Sequence, residues 1–202
     1  MSDPLYTLGL DPGRAGFGWG LLTPRLELVA AGVVPQPKGP RDGQQAPLTQ
    51  VVAAVLRDIC CRPAFQLAQV WGIQAAVERM RVYPPREEGN RRSRNLIGEL
   101  VGKANDLLDL QAIGGLVAGA LVPPERVRYW YPAEWKGSLD DEQVQARMCW
   151  HAPANVNGER VAGCMTPAER ALIEAIKPRG LQHNAWEASG LAMVAAGRLR
   201  LV

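Results

Sequence analysis

LGLDPGRAGFGWGLL, residues 8–22, decides the fold of this chain. Its first part closes the apolar run Leu5–Leu10, which stops at the turn tripeptide Asp11-Pro12-Gly13. Proline presets φ for a turn and glycine supplies the conformations other residues avoid. A second apolar run, GFGWGLL (16–22), follows at once, and ELVAAGVV (27–34) makes a third. Three short runs separated by tight turns predict an antiparallel meander. A carboxylate, Asp11, stands at the end of its first strand. Gly16 and Gly18 suit either a backbone that approaches a phosphate or tight strand packing.

Beyond this hairpin, residues 36–47 are rich in Pro, Gly and Gln and read as loop. Leu48, Val51, Val52, Val55, Leu56 and Ile59 recur at helical spacing and predict an amphipathic helix. VWGIQAAVE (70–78) reads as a buried strand, of the near-continuous apolar kind found in parallel sheets, and it too ends in a carboxylate, Glu78. A helix is expected from about 95 to 121, with Gly114, Gly115 and Gly119 permitting close packing, and a strand over 127–131. Ser138 to Asp141 resembles a helix start. Thr166-Pro167-Ala168-Glu169 is a fuller one, with an N-cap, proline at the first position and glutamate at the third. A last helix is expected over about 184–199. The order β-β-β-α-β-α-β-α-α-α predicts an α/β domain, a mixed five-stranded sheet with helices on both faces, spanning 1–202 as one unit.

The 202 residues, 47% hydrophobic and 21% charged, exclude collagen, coiled coil and disorder. No apolar run reaches the ~18 residues of a membrane span, and the first residues carry no basic segment ahead of an apolar one, so a cytoplasmic location is expected. Cys60, Cys61, Cys149 and Cys164 form no CxxC pair and read as reduced thiols; Cys149, His151 and Cys164 match no common zinc spacing. The net charge of +3 is unevenly placed. Residues 1–78 are neutral, 79–103 carry +4, and 104–202 carry −1. The excess sits in the arginine-rich stretch just after Glu78, which reads as a phosphate-binding arm or a solvated loop face. Arginine outnumbers lysine 19 to 4, which suits bidentate phosphate contacts and equally reflects a GC-rich gene.

Asp11, Glu78 and Glu187 are far apart in sequence, yet the predicted sheet sets the first two side by side and the last helix can carry the third across to them. Like charges so close raise one another's pKa, and hard divalent cations such as Mg²⁺ or Mn²⁺ remove the repulsion. Each residue also has a plainer reading. Asp11 can simply turn the chain, Glu78 can be an exposed strand end, and Glu187 can cap its helix from Asn184 at capping-box spacing.

Together these residues resemble the RuvC-type Holliday-junction resolvases, and the element order is that of an RNase H-like fold. LGLDPGRAGFGWGLL is similar to the family's first motif and AAVERM (75–80) to its second. LDLQAIGGLVAGAL (108–121) resembles the following helix, and YWYPAEWKGSL (129–139) the Pro-x-x-Trp-Lys-Gly segment of phage-type members. HNAWEASGLAMVAAGRL (183–199) resembles the closing acidic helix, with Glu187 where the family usually has Asp. The resemblance spans about residues 5–199. It implies a homodimer that binds a four-way DNA junction and makes paired symmetric nicks with two Mg²⁺, Mn²⁺ substituting. Asp11, Glu78, Glu187 and a fourth ligand, His183 in preference to Asn184, would hold the metal and form the catalytic set. Arg81, Tyr83, Arg86, Arg91, Arg92, Arg94 and Lys136 would contact DNA, Tyr83 by stacking.

Three other readings compete. An actin-like ATPase shares the Asp-Gly opening but needs a second phosphate loop in a duplicated domain. Another RNase H-like nuclease, cleaving hybrids or flaps, would share the metal chemistry. A non-catalytic junction-binding protein would account for Glu187 and Asn184.

Overall fold

A computed structural model of the chain describes residues 5–37, 46–79, 96–149 and 165–201, with the backbone alone over 96–105. Five strands form one sheet: β1 (Tyr6–Pro12), β2 (Gly16–Leu22), β3 (Leu28–Pro35), β4 (Ile73–Glu78) and β5 (Val127–Trp130). The order is β3-β2-β1-β4-β5. The meander β1–β3 is antiparallel, whereas β4 runs parallel to β1 and β5 parallel to β4. This is the mixed five-stranded sheet of the RNase H-like fold.

Alternation along the strands sends side chains to two different cores. Leu8 and Leu10 of β1, Phe17, Trp19 and Leu21 of β2, and Ile73, Ala75 and Val77 of β4 face one layer. There they meet α1 (Leu48–Cys60), α2 (Pro63–Trp71) and α3 (Leu96–Leu121). Trp19 is fully buried, and its indole N–H donates to Asp58 of α1 at 2.8 Å. The opposite face is covered by α7 (Gln182–Ala195), flanked by α5 (Asp141–Cys149) and α6 (Pro167–Glu174).

Gly9, Gly18 and Gly20 form the floor beneath α7. A Cβ on Gly9 would lie 2.0 Å from the Ala188 carbonyl oxygen, and one on Gly18 would lie 2.1 Å from that of Asn184. Gly18 and Gly20, which alternate with bulky residues in GFGWGLL, therefore let a helix backbone settle directly on the sheet. Gly18→Val drives a side chain into that backbone, which cannot swing aside. It is expected to cost about 3 kcal/mol, read as a lower denaturation midpoint.

A second fixed point lies where α6 begins. Thr166 and Glu169 form the predicted capping box, with Thr166 N–H donating to Glu169 at 2.7 Å. The same buried carboxylate accepts from the Leu28 N–H at 2.7 Å and from Arg198 at 2.8 Å, while Arg198 also donates to the Leu26 carbonyl at 2.6 Å. Glu169 thus ties the β2–β3 turn and the segment after α7 to α6. Burial alone would raise its pKa. The Arg198 hydrogen bonds and the two backbone N–H groups outweigh it and hold the carboxyl at about 2. Its contribution is complete above the ordinary glutamate pKa and is lost as pH falls through about 2. Glu169→Ala removes the carboxylate that joins Arg198, the Leu28 N–H and the Thr166 N–H, and is expected to cost about 3 kcal/mol by urea denaturation.

Some elements differ from the sequence expectation. Val70 and Trp71 end α2 and do not begin β4; Gly72, at φ 95°, turns the chain between the two. A further turn of helix, α4 (Pro132–Trp135), follows β5. The start of α5 is capped by Asp140, whose carboxylate accepts from the Gln143 N–H at 2.8 Å, and not by Ser138. The last helix begins at Gln182, ahead of Asn184, and stops at Ala195, with Gly197 at φ 77°. None of the helices is long and apolar enough to cross a membrane, among the described residues.

Candidate active site

Register brings the first two carboxylates together. Leu10 pairs with Val77 across the parallel β1–β4 ladder, so Asp11 and Glu78 are the next residues on neighbouring strands. Both lie on the α7 face, and each is 4% exposed. Across the antiparallel ladder Asp11 is paired with Gly18, which has no side chain to hold α7 away. Glu187 extends from the second turn of α7. One carboxylate oxygen from each of Asp11, Glu78 and Glu187 falls within 4.8 Å of the other two.

The electrostatics are those of an anionic cluster short of positive charge. Burial, then Glu78 and Glu187, raises the Asp11 pKa well above its ordinary value. Burial raises Glu78 too, against the pull of Lys136 and the Trp135 indole. Glu187 is pushed up to about 8 by burial, by its hydrogen bond with Asp141 and by Glu78. Lys136 follows directly on α4, and its Nζ forms ion pairs with Glu187 and, at 3.3 Å, with Asp141. Burial works against its charge, but Glu78, Glu187 and Asp141 prevail and raise its pKa above that of an ordinary lysine.

Three hard oxygen donors at this separation fit a divalent cation. Glu78 Oε2 adds a specific reason, since it is buried and completes no hydrogen bond. A buried acceptor without a partner is costly, and a bound cation would remove that cost.

The two residues proposed for the fourth ligand are engaged in other contacts. Asn184 is buried against the β1–β2 turn, its Nδ2 donating to the Gly16 carbonyl. A Cβ on Gly13 would meet that same amide at 2.3 Å. Asn184 therefore clamps the hairpin to α7 and does not cap the helix. His183 is exposed, with Nδ1 3.1 Å from the Gly180 carbonyl, and lies outside the three-carboxylate group. It stands near enough to Asp141 to favour that residue's ionised form.

Lys136, expected as a DNA contact, is turned into the carboxylates with a side chain only 13% exposed. Trp135 beside it is fully buried, whereas Tyr129 on β5 is 45% exposed. Arg81, Tyr83, Arg86, Arg91, Arg92 and Arg94 lie outside the described residues, as do His151 and Cys164. Arg79, the first basic residue after Glu78, lies with its guanidinium 5.1 Å from the Tyr131 ring centroid. The sequence reading did not single out Asp141 as a site residue. Its signal was present in Asp140-Asp141, where one acid caps the helix and the other remains available to Lys136.

No protein-family model and no curated protein matches the chain. Among solved structures, Thermus thermophilus RuvC in complex with a Holliday junction substrate aligns over 97% of this chain and 98% of its own, at 18% identity and a TM-score of 0.39. A second T. thermophilus RuvC structure aligns over 97% of this chain and 99% of its own, at 17% identity and a TM-score of 0.35.

Proposed function

We propose that the protein is a divalent-metal-dependent endonuclease that resolves four-way DNA junctions by paired, symmetric nicks. The observation that carries this reading is the buried trio Asp11, Glu78 and Glu187 at the ends of two parallel strands and on the helix that crosses them. Two Mg²⁺ or Mn²⁺ ions held there would activate a water and stabilise the leaving oxygen of a phosphodiester. The chain's own part is to hold the carboxylates rigidly on sheet and helix. Neutralised by cations, the cluster becomes attractive to phosphate, and the arginine-rich stretch after Glu78 would guide the DNA backbone to it. His183 would supply a fourth ligand by swinging its ring off the Gly180 carbonyl.

A junction has two-fold symmetry, which a two-fold dimer matches. The face proposed for dimerisation is on α3, where Leu108 and Leu116 are 67% and 54% exposed and Ala112 lies between them. They fall at i, i+4 and i+8, on one apolar stripe. Changing Leu108 and Leu116 together to Glu is expected to weaken dimerisation by at least about 30-fold in sedimentation equilibrium. An unchanged constant would place the interface elsewhere.

The deciding experiment compares an immobile four-way junction with an RNA/DNA hybrid and a flap, each with Mg²⁺ or Mn²⁺. Paired nicks at symmetric positions on the junction support the proposal. Cleavage of the hybrid or flap alone would favour another RNase H-like nuclease. Binding without nicking would favour a junction-binding protein.

A further inference from the structure

Lys136 lies between two kinds of carboxylate. Glu187 belongs to the trio that fits a metal, whereas Asp141 does not. Lys136 Nζ is paired with both. The Lys136 and Glu187 side chains are 13% and 12% exposed, while that of Asp141 is 55% exposed. One partner is therefore inside the site and the other at its mouth. Asp141 is also the first residue of α5, where the N–H groups of a helix start favour an anion. Asp140 provides the cap, so the Asp141 carboxylate is not committed to that role.

A buried lysine is desolvated at considerable cost and is retained only where anions repay it. Here the anion it pairs with inside the site is one that a divalent cation would need. The lysine and the cation are both positive and would share Glu187, so their occupancies must oppose each other. A displaced ammonium requires another anion within reach, and Asp141 is already 3.3 Å away.

We propose that Lys136 is the resident counter-cation of the metal-free site, and that Asp141 is the berth to which it withdraws when a divalent cation takes Glu187. Asp141 is then a positioning residue that acts through Lys136. This inference rests on the reading of Asp11, Glu78 and Glu187 as the metal site.

Direct Mn²⁺ binding to the 202-residue chain, followed by the electron paramagnetic resonance signal of free Mn²⁺, tests it without reference to cleavage. Lys136→Met removes the competitor and is expected to tighten Mn²⁺ binding about tenfold. Asp141→Asn leaves the lysine with no alternative to Glu187 and is expected to weaken binding about tenfold. In the Lys136→Met background, Asp141→Asn should no longer weaken binding, because that loss is routed through the lysine; the hydrogen bond that Asp141 shares with Glu187 opposes ionisation of Glu187, so its removal does not disfavour the cation. An undiminished loss in that background would make Asp141 a ligand in its own right and overturn the proposal. Unchanged or weaker binding in Lys136→Met would also overturn it. Lys136→Gln serves the same test should the Met variant melt early. If the wild type binds no Mn²⁺, or if Asp11→Asn binds it as well as the wild type does, the metal-site reading itself fails, a result distinct from either outcome above.

Discussion

Asp11→Asn is expected to lower Mg²⁺-dependent nicking of a four-way junction by a factor on the order of 10³ or more, while junction binding remains nearly intact. The residue sits where the geometry leaves no substitute. It is 4% exposed, adjoins Glu78 across the ladder, and faces Gly18, which carries no side chain that could take over. Asparagine keeps the shape and a neutral oxygen but removes the charge that would hold a cation. The same change should raise the melting temperature of the metal-free protein by several degrees at pH 7–8. Burial and two acidic neighbours oppose ionisation of Asp11, so its carboxylate is a burden on the fold whenever no cation offsets it. Lost activity together with gained stability separates a metal ligand from a structural aspartate, whose removal would lower both. Nicking that survives in the variant, checked on the same junction in the same buffer, would show that the trio is not the active site.

Asp11, Glu78 and Glu187 were legible in the sequence because each belongs to an element with a strong local signal. A tight turn follows Asp11, an apolar strand precedes Glu78, and a long small-residue helix carries Glu187. The strand order then brings them together. What was not legible depended on side-chain direction. Val70 and Trp71 merged with β4 because an apolar run has no period to divide it, and only the positive φ of Gly72 shows where the helix stops. Asn184 stands at a spacing to Glu187 that also allowed a capping box, whereas α7 begins two residues earlier. Its tie to Gly16 joins segments 168 residues apart, a separation no local pattern reports. The pairing of Lys136 with Glu187 was hidden for a related reason. A lysine in a loop motif is by default exposed, and its inward turn is to Glu187, 51 residues further on. Gly16 and Gly18 were open to two explanations, and the Asn184 carbonyl resting on Gly18 selects tight packing at that position.

The stability of the metal-free protein is expected to fall as pH rises from about 5 to 8, and saturating Mn²⁺ should abolish most of that slope. The sign follows from proton counts. A carboxyl whose folded pKa is raised keeps its proton in the folded state after the unfolded state has released it, so raising the pH favours unfolding. Asp11, Glu78 and Glu187 are all raised, with Glu187 reaching about 8. With its pKa moved from an ordinary 4.5 to about 8, that one residue represents a loss of roughly 3–4 kcal/mol over the interval, at about 1.4 kcal/mol per pH unit. The other shifted groups do not obscure it. Asp141 and Glu169 are lowered, so their contributions are complete before pH 5 is reached. Lys136 is raised, and its contribution is complete throughout the range and begins to fade only at the ordinary lysine pKa. The slope therefore reports the trio alone among these groups. A divalent cation holds all three carboxylates ionised in the folded state, which removes the extra bound protons and with them the pH dependence. Thermal melts at pH 5, 6, 7 and 8, with EDTA and with Mn²⁺, make the comparison. Parallel curves in the two conditions would mean that the cation binds elsewhere.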